Sequence, residues 1–361
     1  MSAPAAQLTV DITVRRGDFE MFAALDLSPG TVTAVLGPNG SGKSTLLLAL
    51  AGLLPVSIGS IIGERTWNDA TTGTFLVPQD RQVGLVLADP LLFPHMTLLD
   101  NVAYGPRSRG IGKGPGRERA LDELRRVRLA DLSDRKPDAT STGQAQRVAL
   151  ARALATNPAL LLLDEPLSAL DPHTRSATRA DLHHRLRDYA GATVIVTHDP
   201  LDALTLADRL VFMEDGVIVQ IDTPEAAIAR PRSAYVASIV GLNLLPGTIR
   251  VDGRVVIDVE GGVVVTAESP TDVIEGAAVW ATIDPAAVAL YATPPGGSVR
   301  NTWPVTVREV IIAGQRARIG LDGPVPLIAE VTTGAVADLG LVAGQQVYAA
   351  VKATEVTTYP A

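Results

Sequence analysis

The chain has 361 residues, of which 47% are hydrophobic, and its formal net charge is −8. This length predicts about two or three domains, and the apolar fraction is sufficient for packed cores. The acidic balance argues against a broad nucleic-acid-binding surface, so we expect no nucleic-acid partner. The sequence contains no cysteine, which excludes disulfide bonds and thiolate metal sites. We find no apolar run near the ~18 residues that cross a bilayer and expect no secretory signal. Any membrane role is therefore expected to be peripheral, through a partner.

The first stretch of the chain alternates between apolar and polar side chains. Residues 8–27 follow this pattern on both sides of Gly17-Asp18, which predicts an antiparallel hairpin. Phe19 follows the turn and lies upstream of a glycine-rich motif. An aromatic side chain at this position is suited to stack on an adenine ring, and the alternative is a Phe19 that packs in the core.

The glycine-rich motif spans residues 37–45 and fits the phosphate-binding pattern G-x-x-x-x-G-K-[ST] at every fixed position. The apolar stretch Thr31–Leu36 predicts a strand that enters the loop, and Ser44–Leu54 predicts a helix that leaves it. Glycines let backbone N–H groups face phosphate oxygens, and the helix N-terminus adds a favourable dipole. The motif therefore predicts an ATP site. Its predicted binding residues are Phe19, Gly37, Pro38, Asn39, Gly40, Ser41, Gly42, Lys43, Ser44 and Thr45.

The metal expected with the nucleotide is Mg²⁺. We expect Lys43 to reach the β- and γ-phosphates and the Ser44 hydroxyl to ligate the metal. Leu160–Leu163 predicts a buried parallel strand, which ends at Asp164. Because ligands of open α/β sheets bind beyond the carboxyl ends of the strands, Asp164 is expected to hold Mg²⁺ through water.

Two further side chains are candidate catalytic groups. Glu165 follows Asp164 and is expected to polarise the attacking water. His198 follows another predicted core strand, Val194–Val196, and is expected to contact the γ-phosphate. The alternatives are a surface carboxylate pair and a structural histidine.

The region between the phosphate loop and these carboxylates is rich in helical pattern. Val83–Leu87 predicts a strand, and Leu98–Tyr104, Arg117–Ala130 and Gly143–Leu154 predict helices. Arg107–Gly116 contains glycine, arginine and proline, and it predicts a solvated loop. The sequence therefore predicts a helical insertion, at about residues 88–158, within an α/β scaffold.

The last third of the chain changes to short β segments separated by turns. This spacing predicts small β-barrels. We place the main boundary near Gly241 and expect a linker at residues 293–297 between two such units. The predicted strands are Gly247–Val251, Val255–Val259, Val263–Ala267, Ala277–Ile283, Val305–Ile312, Arg316–Leu321, Pro326–Val331 and Gln346–Val351.

Several short motifs occur in a fixed order and together carry a resemblance to a known family. They are the phosphate loop, Ser141-x-Gly143-Gln144, Leu163-Asp164-Glu165-Pro166, Ser168-Ala169-Leu170-Asp171 and Thr197-His198-Asp199. Over about residues 8–240 the chain resembles the ATP-binding subunit of ABC transporters. The resemblance implies an α/β P-loop NTPase fold, an ATPase activity with Glu165 as catalytic base, and a nucleotide-binding domain over residues 1–240.

The same resemblance implies partners. Two copies are expected to pair head to tail, so that each nucleotide lies between one phosphate loop and a segment of the other copy. Residues 93–95, Phe-Pro-His, resemble the segment that receives the membrane permease subunit of importers. The protein would then lie at the cytoplasmic face of the plasma membrane and would work indirectly with a substrate-binding protein. The residues expected to act on the other copy are Ser141, Gly143, Gln144 and Asp171.

The C-terminal domain, residues 241–361, is expected to be a small, all-β, OB-like regulatory barrel. Within it, residues 297–357 are similar to the molybdate/tungstate-binding barrel module. By that similarity Ser298, Arg300 and Lys352 bind an oxyanion, and hydroxyl and cationic groups suit a tetrahedral dianion. The chain as a whole therefore resembles the ATPase subunit of a molybdate importer. Sulfate, iron, polyamine and sugar importers remain alternatives, as does a barrel that only holds the dimer together.

Two positions depart from the family pattern. Ala88 stands where a glutamine usually ligates Mg²⁺, and Thr142 stands where the signature usually has glycine. An alanine cannot ligate a metal, and a Cβ at residue 142 crowds the approach to phosphate. We expect ATP binding to persist and hydrolysis or coupling to be slowed. The alternative is a nucleotide- and oxyanion-binding regulatory protein with impaired hydrolysis.

Overall fold

The computed structural model describes residues 7–168, 170–252, 254–267 and 273–361, with the side chains of 172–174 excepted. Ala169 of the predicted Ser168–Asp171 motif therefore lies outside the described residues. The chain divides into two compact units, Met1–Glu225 and Ala226–Ala361. The sequence analysis placed the boundary near Gly241. Within the described residues, no helix combines the length and the apolar character needed to cross a membrane.

The first unit alternates strands and helices. Its strands are β1 (Leu8–Arg16), β2 (Phe19–Leu27), β3 (Val32–Leu36), β4 (Ile58–Ile62), β5 (Thr66–Asp69), β6 (Thr74–Phe75), β7 (Val83–Val86), β8 (Leu160–Asp164), β9 (Ala192–Val196), β10 (Arg209–Glu214) and β11 (Val217–Asp222). Its helices are α1 (Lys43–Ala51), α2 (Leu98–Ser108), α3 (Lys113–Arg126), α4 (Thr142–Leu154), α5 (Pro172–Arg187) and α6 (Pro200–Leu206), and α7 (Pro224–Ala229) spans the division.

Two sheets organise this unit. In the part of the chain that the structure describes, one sheet has the order β2-β1-β4-β5-β6 and the other the order β11-β10-β3-β9-β8-β7. The predicted hairpin of residues 8–27 is confirmed, since β1 pairs with β2 in antiparallel register. In the second sheet β3, β9, β8 and β7 are parallel neighbours. The residues of β3 and β9 are buried throughout, which explains their continuous apolar sequences.

Helix α1 leaves the phosphate loop and is shorter than the sequence predicted. It ends at Ala51 because Gly52 adopts the left-handed conformation (φ 77°) and its N–H bonds back to Ala49 and Leu48. The buried side chain of Arg81 lies against this end, and its guanidinium donates to the carbonyls of Ala49 and Leu50. The termination signal is therefore Gly52, two residues before the predicted end at Leu54.

The helical insertion is present, but the ends of its helices differ from the prediction. Helices α2, α3 and α4 share a buried core that includes Leu98, Leu124 and Val148. The stretch predicted as a loop, Arg107–Gly116, instead contains the end of α2 and the first turn of α3. Pro115 contributed to the prediction of a loop. Proline is nevertheless tolerated in the first turn of a helix, because a backbone N–H at that position would have no intrahelical partner.

The second unit is mainly β. Its strands are β12 (Asn243–Val251), β13 (Val255–Val259), β14 (Gly262–Val265), β15 (Ala278–Ile283), β16 (Ala289–Tyr291), β17 (Asn301–Ala313), β18 (Arg316–Asp322), β19 (Leu327–Thr332), β20 (Gln346–Val351) and β21 (Val356–Pro360). Short helices α8 (Ala234–Val240) and α9 (Thr333–Leu339) accompany them. Over the described residues the sheets have the orders β14-β13-β12-β15-β21 and β16-β20-β17-β18-β19.

Among the described residues the two sheets share one core cluster, whereas the sequence analysis expected two small barrel units with a linker at residues 293–297. Buried side chains of both sheets, among them Ile257, Ile283, Ile319 and Val347, form one cluster. The last strand, β21, returns to pair with β15 of the first sheet. Strand β21 therefore completes a sheet that begins near residue 243.

Candidate nucleotide site

Three parallel strands end at one edge of the central sheet, and an open cleft of about 980 Å³ lies there. The phosphate loop follows β3, Asp164 and Glu165 follow from β8, and Val196 ends β9. Because the carboxyl ends of parallel strands meet at the same edge, segments far apart in sequence line one cleft. The predicted site residues in its lining are Phe19, Asn39, Gly40, Gly42, Lys43, Ser44, Thr45, Asp164 and Glu165.

The phosphate loop depends on glycines at two close approaches. Gly42 has φ 102°, a conformation that disfavours side chains, and it precedes α1 directly. A Cβ at Gly37 would collide with the carbonyl oxygen of Met213. Pro38 is exposed and Ser41 is buried, so these two predicted residues shape the loop from outside the cleft lining.

The Lys43 ammonium is held by the loop itself. Its Nζ donates to the carbonyl oxygens of Gly37 and Pro38, at 2.8 Å each. Burial lowers the pKa of Lys43 below its ordinary value, while Glu165 and Asp164 act to raise it. The loop thus presents a partly desolvated cation, whose attraction for phosphate is stronger than it would be in water.

The two carboxylates oppose one another electrostatically. Burial raises the pKa of Asp164 above its ordinary value, the nearby Glu165 charge adds to this effect, and Lys43 acts to lower it. Negative charge in this part of the cleft is therefore incompletely balanced. A divalent cation would relieve the imbalance.

The donor set fits Mg²⁺. The Ser44 hydroxyl and the Asp164 carboxylate line the same cleft and are the hard oxygen ligands that Mg²⁺ prefers. The described residues contain no group of three or more His, Cys, Asp or Glu side chains arranged to hold a metal. This is compatible with Mg²⁺, because that ion keeps several waters and binds through one or two protein ligands plus substrate phosphates.

Glu165 and His198 form a hydrogen-bonded pair. The Nδ1 of His198 lies 2.7 Å from Oε1 of Glu165, and an ionised carboxylate requires that the imidazole nitrogen donate. Glu165 has φ 49°, and its backbone N–H donates to the carbonyl of Val196. A left-handed conformation is uncommon for a residue with a side chain. The local backbone therefore brings the Glu165 carboxylate to His198, an exposed side chain that is not among the described residues of the cleft lining.

The position of Phe19 is compatible with both alternatives of the sequence analysis, stacking on an adenine ring and packing in the core. It lines the cleft and is also partly buried against the core of the first unit. The cleft further contains Arg16, Gly17 and Val196, which the sequence analysis did not select. The turn at Gly17, just before Phe19, was the available signal for the first two residues.

The residues expected to act on a second copy lie elsewhere on the surface. Ser141 caps α4 by accepting from Gln144 N–H at 3.3 Å, while Gln144 Oε1 accepts from Ser141 N–H at 3.0 Å. Asp171 is exposed at the start of α5, and Gly143 lies close enough to Leu170 that a Cβ would collide with that side chain. Among the described residues of the cleft lining, none of the four predicted trans residues occurs.

The two departures from the family pattern occupy different places. Ala88 lines the cleft together with Lys43, Ser44 and Asp164. Thr142 is the first residue of α4 and is exposed. The missing glutamine therefore concerns the cleft itself, whereas the extra Cβ concerns the exposed helix end.

The segment expected to meet a permease borders a surface hollow of about 300 Å³. Phe93 lines this hollow and packs against Tyr104, with ring centroids 4.8 Å apart. Buried Asn101 holds the segment, since it accepts from Phe93 N–H and donates to the Phe93 carbonyl. Pro94 and His95 are exposed beside it.

In the second unit, the predicted oxyanion residues lie at one end of a strand pair. Asn301 of β17 pairs with Val351 of β20. Arg300 precedes Asn301 and Lys352 follows Val351, so this antiparallel register brings the two cations to the same sheet end. Ser298 is exposed in the turn before them.

Comparisons with known proteins agree with this architecture. A model of the ABC transporter family matches residues 23–168, and a model of the TOBE domain matches residues 297–358. The chain is 42% identical to the molybdenum import ATP-binding protein ModC of Mycobacterium tuberculosis, over 98% of this chain and 97% of that protein.

Two further similarities cover less of the chain. The sn-glycerol-3-phosphate import ATP-binding protein UgpC of Yersinia pestis is 42% identical over 66% of each chain. The solved structure of cbiO1 from Clostridium perfringens, part of the ABC transporter complex cbiONQ, has a TM-score of 0.56 at 27% identity. That superposition covers 63% of this chain and 92% of the other. The P-loop fold and the C-terminal β unit predicted from sequence are thereby confirmed.

Proposed function

The chain belongs to the ABC transporter family, and from this premise we propose that it is the ATP-hydrolysing subunit of a molybdate importer. One observation carries the enzymatic part. Lys43, Glu165 and the Ser44–Asp164 oxygen pair come together in one cleft at the ends of parallel strands. This cleft offers a cation for phosphate, oxygens for a metal and a carboxylate for water.

The proposed hydrolysis uses few protein groups. Backbone N–H groups of the loop and Lys43 bind and orient the β- and γ-phosphates. Mg²⁺, held by Ser44 and Asp164, would neutralise charge between the phosphates. The Glu165 carboxylate orients the attacking water and accepts its proton, and the His198 imidazole fixes the carboxylate through their hydrogen bond.

The trans residues support a head-to-tail homodimer. Among the described residues of the cleft lining, neither the α4 N-terminus nor Asp171 occurs, and α4 offers the positive end of its dipole. A second copy would bring Ser141, Gly143 and Gln144 to the γ-phosphate and Asp171 to the interface. Closure on ATP and reopening after hydrolysis would then drive the permease.

We base the proposed cargo on how much of this chain one sequence alignment covers. The alignment with the molybdenum import protein covers 98% of this chain and so includes the second unit. The alignment with the glycerol-3-phosphate protein covers 66%. The second unit is the part in which Arg300 and Lys352 are brought together by strand register. We therefore propose molybdate as cargo and Ser298, Arg300 and Lys352 as oxyanion ligands.

The proposed location follows from the same reasoning. The hollow beside Phe93-Pro94-His95 would receive the permease, which anchors this subunit at the cytoplasmic face of the plasma membrane. A substrate-binding protein would act on the far side of the permease and would not touch this chain.

Calorimetric titration of the full-length protein with molybdate, tungstate and sulfate tests the cargo. We expect binding of molybdate and tungstate, and a loss of about tenfold to a hundredfold in affinity for Arg300→Ala and for Lys352→Ala. A hydrogen bond to a charged group contributes about 1.5–3 kcal/mol, and tenfold corresponds to about 1.4 kcal/mol. Arg316→Ala is the matched control, because Arg316 is an exposed arginine of the same unit that pairs with Glu330. Sulfate binding of equal strength, or an equal loss in the control, would contradict the assignment.

A further inference from the structure

One arginine on α5 connects two segments that flank the Glu165–His198 pair. Arg175 Nη1 donates to Oδ2 of Asp199 at 3.1 Å, and its Nη2 donates to the carbonyl of Ser168 at 3.1 Å. The Arg175 side chain is only 26% exposed. It is therefore only partly exposed and spans the two segments.

Each of those segments is continuous with a member of the pair. Ser168 bonds back to Glu165, since its N–H and its Oγ both donate to the Glu165 carbonyl, at 3.2 and 2.9 Å. Asp199 follows His198 in sequence, and its carboxylate caps α6 by accepting from Leu201 N–H at 2.8 Å. The contacts form a closed ring: Glu165, His198, Asp199, Arg175, Ser168 and again Glu165.

We propose that Arg175 is a positioning residue for ATP hydrolysis, which closes this ring and fixes the Glu165 carboxylate relative to His198. The inference rests on the proposed roles of Glu165 and His198. Glu165 has a left-handed backbone, which needs surrounding contacts to persist. The turn that begins at Glu165 is held at its other end by Arg175. An arginine suits this task because its planar fork donates in two fixed directions, whereas a lysine offers one point charge.

The ring adjoins the segment that we propose to meet the second copy. The backbone N–H of Arg175 donates to the carbonyl of Asp171 at 2.8 Å, in the first turn of α5. Asp171 is the residue proposed to meet the second copy. The segment proposed to meet the second copy therefore adjoins the ring through the backbone of this helical turn.

A neighbouring arginine shows that Arg175 is not needed only to balance the charge of Asp199. Arg179 pairs with Asp202 at 2.5 Å and lies 3.7 Å from Asp199. Asp199 therefore retains a cation nearby when Arg175 is removed. What is lost is the tie to Ser168, so the effect should fall on the geometry of Glu165 more than on stability.

The test compares Arg175→Met with wild type in the full-length subunit assembled with its permease. Steady-state phosphate release gives kcat and KM for ATP, and thermal unfolding gives Tm. We expect kcat to fall at least tenfold, with KM changed less than threefold, because a misplaced base slows the chemical step without removing phosphate contacts. Arg187→Met is the control: Arg187 is an exposed arginine of the same helix that pairs with Asp208, and its kcat should stay within twofold.

Arg175→Lys provides a second measurement, which also serves if the methionine variant fails to fold. Its kcat should remain at least threefold below wild type, since a single ammonium nitrogen does not reproduce the two fixed directions in which the guanidinium fork donates. A kcat within twofold of wild type, or a rise in KM that parallels a loss of Tm, would overturn the inference. Glu165→Gln distinguishes a failure of the proposed catalytic role of Glu165 from a failure of the positioning role of Arg175. If it retains turnover, the proposed catalytic role itself fails; if it abolishes turnover while Arg175→Met does not, only the positioning role fails.

Discussion

Ala88→Gln tests whether the residue missing from the cleft limits turnover. Ala88 lines the cleft beside Lys43, Ser44 and Asp164. A glutamine there would present an amide oxygen to the metal and to water, as hard oxygen ligands do in magnesium sites. The residue is exposed and the cleft measures about 980 Å³, so the longer side chain meets no packed core.

The expected magnitude follows from one added polar contact. A contact with a charged group contributes about 1.5–3 kcal/mol. If it acts in the transition state, each ~1.4 kcal/mol is tenfold in rate. We therefore expect kcat to rise about tenfold to a hundredfold. The affinity for ATP should change little, since we propose that it rests on the loop and Lys43.

The assay is phosphate release by the subunit assembled with its permease at saturating ATP. Ala88→Met is the matched control, because it has nearly the same length and no amide oxygen. Its kcat should stay within twofold of wild type. Equal rates for the glutamine and methionine variants, or no increase with glutamine, would refute the argument that Ala88 slows hydrolysis.

Two predictions concern stability. Asp164→Asn should raise Tm at pH 7 without nucleotide. Because the pKa of Asp164 is raised in the folded state, the folded protein binds more protons than the unfolded protein between the ordinary and the raised pKa. The stability of the folded protein therefore falls as pH rises through the raised pKa. Wild type and variant should then converge toward pH 3, and a lower Tm for the variant at pH 7 would contradict this. Arg81→Met should destabilise the first unit by about 2–4 kcal/mol in urea unfolding, since it leaves the carbonyls of Ala49, Leu50 and Leu76 without their buried donor. Arg128→Met, which breaks an exposed pair with Asp181, should change stability by less than about 1 kcal/mol.

Much of the fold followed from local sequence. Alternation predicted the β1–β2 hairpin, and short apolar runs predicted β3, β8 and β9, because side-chain periodicity and strand burial are set by neighbouring residues. The phosphate loop was evident for the same reason, since its glycines and lysine are contiguous. Helix ends were less predictable. Gly52 ended α1 early, and Pro115 was accommodated inside α3, because propensity does not show which turn a residue occupies.

The tertiary structure decided which distant residues meet. The order of the parallel strands brings Asp164 and Glu165 beside Lys43, and the backbone of Glu165 aims its carboxylate at His198. No local pattern encodes the tie from Arg175 to Ser168 and Asp199, nor the return of β21 to β15 that merges the C-terminal sheets into one core. Periodicity and motifs report on the few residues around them, whereas these contacts depend on sheet order, strand register and the packing of separate elements, which exist only once the chain has folded.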